Sequence, residues 1–105
     1  MVTHATETSA DTLIARYIEP HPAKHGKVNY RLKAEYNGVP IRAVIGALLY
    51  GRATPDEVMR GYEISREAFD AALLYYLRNR AVIDAWLLLN QGDEDGIISR
   101  RSGAS

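Results

Sequence analysis

Two helix start signals follow one another closely in this chain, and they leave room between them for only one short helix and a tight connection. The first is Thr54-Pro55-Asp56-Glu57. It offers a hydroxyl to cap free backbone amides, a proline preset for the first helical position, and acids at the positive end of the helix dipole. Glu57 stands three residues after Thr54, the spacing of a capping box. The second signal is Ser65 with Glu67 behind it. A helix from Pro55 to about Arg60, ended by Gly61, must therefore turn through Tyr62-Glu63-Ile64 into a longer helix. In that helix Phe69, Ala72, Leu73, Tyr76 and Leu77 recur at helical spacing.

The flanks extend the pattern. Pro40 suits a first helical position, Ile41, Val44, Ile45, Leu48 and Leu49 form one apolar stripe, and Gly51 is placed to end that helix. After Asn79, which can bend or cap, Val82, Ile83, Trp86 and Leu87 mark a last helix to about Asn90. Earlier, the run Val28 to Tyr36 alternates apolar and polar residues as a half-buried strand does, and Asn37-Gly38 closes it as a turn. Its expected partner is the Tyr17-Ile18 region or another copy. The predicted architecture is mainly α, a three- to four-helix helix-turn-helix bundle with a small N-terminal β-hairpin or strand. Residues 1–12 form a flexible lead-in, 13–91 a single domain with its helix-turn-helix core over 40–90, and 92–105 a flexible tail.

Composition narrows the function classes. With 105 residues and 47% hydrophobic side chains the chain supports one core, and the absence of cysteine excludes disulfides and thiolate metal sites. The start lacks the basic and apolar regions of a secretory signal. The longest unbroken apolar run free of tyrosine, Ala85 to Leu89, is far short of the roughly 20 residues that span a bilayer. The expectation is a cytoplasmic protein without a membrane partner. Net charge is zero, which speaks against a broad grip on phosphates. The average conceals a gradient: between Arg16 and Arg42, Arg16, Lys24, Lys27, Arg31, Lys33 and Arg42 against Glu19 and Glu35 give six minus two, a local +4. From Ala43 to Ser99, five arginines against nine acids give −4. That asymmetry suits a basic arm meeting a polyanion or a head-to-tail contact, and equally two solvated faces.

No nucleophile, phosphate loop or paired-carboxylate motif is present, so no enzymatic activity and no cofactor are expected. His21 and His25 have a ligand-like spacing, but Pro22 lies between them and keeps them off a helix, so no metal is expected. Binding is the better expectation. In a helix-turn-helix the first turn of the second helix enters the major groove. Ser65, Arg66 and Asp70, with Arg60 and the basic arm Lys24, Lys27 and Lys33, are then the DNA-contacting set, although Glu67 and Asp70 repel phosphates. The last helix is apolar around most of its circumference and needs cover on more than one side. Val82, Ile83, Trp86, Leu87 and Leu89 are the candidate dimer interface, the alternative being that Leu88 lies under the chain's own N-terminal strand. Tyr75, Arg78 and Arg80, with Ile97 and Ile98 of the tail, are the candidate partner-facing set. A three-helix unit that binds protein and no nucleic acid remains the alternative.

The stretch Tyr17 to Asn90 resembles the bacterial and archaeal family catalogued as domain of unknown function 433. The resemblance rests on Arg16-Tyr-Ile18, Arg31-Leu32, Gly38-Val-Pro-Ile41, Ile45-Gly46, Leu48, Gly51, Thr54-Pro-Asp-Glu-Val58, Tyr62, Ser65-Arg-Glu67 and Ala71-Ala-Leu-Leu-Tyr-Tyr76. It implies a homeodomain-like helix-turn-helix, a homodimer, operator DNA as a ligand and, in some relatives, an antitoxin that neutralises a PIN-type toxin ribonuclease.

Overall fold

The computed structural model describes residues 2–90, which form five α-helices and one two-stranded antiparallel sheet. Helix α1 covers Val2–Tyr17, and strand β1, Ile18–Glu19, follows it directly. Strand β2 is Arg31–Leu32, and helices α2, α3 and α4 are Ile41–Leu49, Pro55–Tyr62 and Arg66–Arg78. Helix α5 covers 80–90. The flexible lead-in expected over 1–12 is instead helical from Val2. Asp11, within it, pairs with Arg78 at the far end of α4. The tail 92–105 lies outside the described residues.

The expected strand over Val28 to Tyr36 shrinks to β2. Two 3₁₀ turns, Lys27–Asn29 and Ala34–Tyr36, claim its ends. Local bonds explain the loss: Asn29 N donates to Gly26 O at 3.0 Å, and Asn37 N donates to Ala34 O at 3.0 Å. Gly26 has φ +100°, which starts the first turn at no steric cost, and Asn37 sits in the left-handed region at φ 73°. What remains is tightly held. Ile18 faces Leu32 and Glu19 faces Arg31, whose guanidinium lies 2.9 Å from the Glu19 carboxylate. On the other edge Leu32 N donates to Val39 O at 2.8 Å, and Leu32 is fully buried.

Helix α4 is the centre of the molecule, packed against α1 on one side and α2 on another, with α3 leaning on α2. Phe69, Leu32, Ile41, Ile45, Ile83 and Val44 are the largest fully buried side chains of the core. The capping box at Thr54 is complete: Glu57 N donates to Thr54 Oγ1 at 3.2 Å and Thr54 N donates to Glu57 Oε1 at 2.8 Å. Ser65 Oγ accepts from Ala68 N at 3.1 Å and starts α4. Helix ends depart from the glycine rule. Pro40 caps α2 from outside it, Arg52 takes the left-handed position expected at Gly51, and Glu63 takes the one expected at Gly61. Gly51 is required for a different reason, since a Cβ there would stand 2.8 Å from Ala47 O.

Asn37 links the two halves. Its side-chain amide donates to the carbonyls of Tyr62 and Glu63 at 3.2 and 2.8 Å, pinning the Asn37-Gly38 turn against the α3–α4 connection. Together with buried Ile64 this fixes how α4 leaves α3. Among the described residues no helix is long and apolar enough to cross a membrane.

Candidate functional site

The first turn of α4 is where a groove-reading helix would present its side chains. Arg66 is the freest of them, its side chain 71% exposed, but its Nε lies 3.3 Å from Asp70 Oδ1 one turn along, so its charge is matched locally. Ser65 is engaged as the cap. Glu67 accepts from the Tyr17 hydroxyl at 2.7 Å, which joins the end of α1 to the start of α4 and pushes the Tyr17 ionisation up. Arg60, on α3, borders a shallow depression with Asp56, Met59 and Ile64. This end of α4 therefore carries acids and bases in near balance.

The basic arm does not join it as a unit. The Tyr75 hydroxyl donates to Lys27 O at 2.6 Å, which sets Lys27 against the C-terminal end of α4. Nine helical steps separate Arg66 from Tyr75, roughly 13 Å at about 1.5 Å per step. Lys24 is on the exposed loop before Lys27, and Lys33 is held through its backbone to Tyr17 O at 2.8 Å. The seven residues expected to contact DNA thus fall on more than one surface. His21 Nδ1 accepts from Ala23 N and Lys24 N at 2.9 and 3.1 Å and serves as a turn cap.

The expected dimer set divides between the two sides of α5. Ile83 and Leu87 belong to the chain's own core, fully buried and 5% exposed respectively. Leu87 lies close enough to α2 that a Cβ on Gly46 would approach it at 3.4 Å. Trp86 is half-buried beneath the Arg42 guanidinium, 4.6 Å from its ring centre. Arg42 Nε is buried with no hydrogen-bond partner among the described residues, and the Trp86 ring is its compensating contact. Val82 and Leu89 do face outward, and Leu88, absent from that set, joins them: the three are 42%, 80% and 66% exposed. With exposed Ala81 and Ala85 they recur at i, i+1, i+4, i+7 and i+8, a second apolar stripe opposite the buried one.

The partner-facing set is corrected at Tyr75, which is 6% exposed, stacked on Tyr30 and part of the core. Burial first, and the Tyr30 ring second, push its ionisation far up. Arg78 is exposed and pairs with Asp11, while Arg80 lies 3.8 Å from Asp84 and over the Tyr76 ring at 5.8 Å. Ile97 and Ile98 lie outside the described residues. Sequence reading missed a cleft of about 330 Å³ lined by Ile14, Lys27, Tyr30, Tyr75, Arg78 and Asn79. Its walls come from three separate segments, so no local spacing announces it.

Comparison with known proteins finds no match for this chain among family models, curated proteins or solved structures.

Proposed function

We propose that this chain is an antitoxin-like helix-turn-helix protein that acts by binding as a homodimer, without catalysis, and that its working contacts are made with protein. The outer stripe of α5 carries the reading. Leu88 and Leu89 are large apolar side chains left mostly in water, beyond what folding of one copy uses. The stripe is self-complementary. Two copies of α5 running antiparallel and centred on Ala85 set Ala81 against Leu89 and Val82 against Leu88, small against large. The near-neutral first turn of α4 supports protein over DNA as the further partner, and the family resemblance supports a PIN-type toxin ribonuclease in that role.

Sedimentation of the wild-type chain and of a Leu88→Glu, Leu89→Glu variant tests the dimer. A dimer that the two charges convert to a folded monomer is the expected result, and a wild-type monomer at all concentrations would overturn it. A second reading, operator binding by α4, is favoured by the tight Glu63-Ile64-Ser65 connection and exposed Arg66. Titration with upstream duplex at about 50 and 200 mM salt decides it, because groove binding loses affinity steeply between the two.

A further inference from the structure

One basic residue of the N-terminal half, Lys27, and one arginine of the C-terminal half, Arg78, meet at the C-terminal end of α4. Lys27 from the first 3₁₀ turn and Arg78 from the last turn of α4 line the same cleft, with Ile14 of α1, Tyr30, Tyr75 and Asn79. Its aromatic wall is a stacked pair whose rings lie 5.1 Å apart and 18° from parallel. Tyr75 is the buried member, and its hydroxyl on Lys27 O fixes the turn that carries Lys27. Tyr30 is only half-buried and is the ring a ligand can reach. The Asn79 amide donates to Tyr75 O at 2.9 Å, which holds that side chain at the cleft's edge.

An aromatic face beside two cations selects among ligands. A simple carboxylate would use Lys27 and Arg78 and leave the ring idle, whereas an apolar molecule would strand both charges. A flat ring joined to a phosphate uses all of it: bases stack on exposed aromatic rings, and Arg with Lys holds phosphate oxygens. At about 330 Å³ the cleft is near the lower end for small-molecule sites, room for one nucleotide unit and little more. We propose that it binds a single nucleotide, free or as an unpaired residue of a single-stranded nucleic acid, with the base against Tyr30 and the phosphate between Lys27 and Arg78. Asp11 is the competitor. Its carboxylate now pairs with Arg78, and because both side chains are well exposed the pair is weak enough for phosphate to displace it. The site lies at the opposite end of α4 from Arg66 and does not depend on dimerisation.

The full chain is titrated against a fluorescein-labelled mixed-sequence single-stranded DNA octamer and its RNA counterpart by anisotropy, and against AMP by calorimetry, at about 50 and 200 mM salt. We expect binding that Lys27→Gln and Arg78→Gln each weaken about fivefold or more, that Asp11→Asn tightens, and that Arg66→Gln leaves alone. Equal affinity for AMP and the octamers assigns a free nucleotide. Tighter octamer binding, with a salt slope that falls by about 0.7 per cation removed, assigns a strand. All four substitutions are at exposed or half-buried surface positions, and circular dichroism verifies that each variant folds. Failure of all three probes to bind would overturn the proposal. So would binding lost in Arg66→Gln but kept in Lys27→Gln, or equal binding of an octaglutamate peptide, which would make the cleft a carboxylate site.

Discussion

Burial holds the Tyr75 phenol in its neutral form, and Tyr17 and Tyr76 are shifted the same way, Tyr17 chiefly by its bond to Glu67 and Tyr76 chiefly by burial. The unfolded chain ionises its tyrosines near pH 10, while the folded chain keeps these three protonated. Stability from them is therefore complete below about pH 10 and falls as pH rises beyond it, because the unfolded state then binds fewer protons. Tyrosinate absorbance should rise in two stages, the later one together with loss of helical circular dichroism. Tyr75→Phe should move that alkaline midpoint upward and cost about 1 kcal/mol at neutral pH, since water can still reach the carbonyl of exposed Lys27. A single ordinary titration with unchanged dichroism would contradict this. Two glycines give a second residue-scale contrast. Gly61 is inside α3 with nothing within 4 Å of a would-be Cβ, so Gly61→Ala should stabilise by roughly 0.5–1 kcal/mol. Gly51→Ala drives a methyl into the Ala47 carbonyl and should destabilise by about 1 kcal/mol or more. Denaturant midpoints moving in the same direction would refute the pair.

Among the elements, α3 and α4 are the two whose beginnings were most legible, because a cap is a local event: Thr54, Glu57 and Ser65 need only their own next turn. Thr54→Ala and Ser65→Ala should each cost about 1 kcal/mol, measured by thermal melts, and a change near zero would mean that the tertiary contacts of Asn37 and Ile64 alone hold these helix starts. Helix ends were less legible. The left-handed residues at these ends are Arg52 and Glu63, and no propensity points to them. The strand over Val28 to Tyr36 failed for a related reason, since its alternation was real but Gly26 and Asn37 let local turns take the backbone bonds first. Faces were ambiguous wherever a helix is apolar on two sides. In α4 the buried row runs through Ala68, Phe69, Ala71, Ala72 and Tyr75, leaving Leu77 outside, because α1 and α2 approach from directions that spacing cannot specify. In α5 the same ambiguity assigned Ile83 and Leu87 to a partner when they close the chain's own core. The cleft at the end of α4 was not legible at all, being a product of three segments brought together only by the fold.

At the scale of the whole molecule, the two apolar sides of α5 separate folding from association. Ile83 is fully buried within one copy, so Ile83→Ala should lower stability by about 2–5 kcal/mol at any protein concentration. Leu88 and Leu89 lie mostly in solvent in one copy, so their replacement by Glu removes little from the monomer's core. If two copies associate through that stripe, folding and association are linked, and the melting temperature of the wild type must depend on concentration. A hundredfold dilution removes about 2.7 kcal/mol of association free energy per dimer, which for chains of this size is a fall of roughly 5–10 °C. The Leu88→Glu, Leu89→Glu variant should melt at one temperature across the same range, near the value that the wild type approaches on dilution. A wild type that melts independently of concentration would mean that the outer stripe of α5 does not join two copies of this chain. It would then be the face left for a different protein, and the small-against-large match about Ala85 would carry no weight.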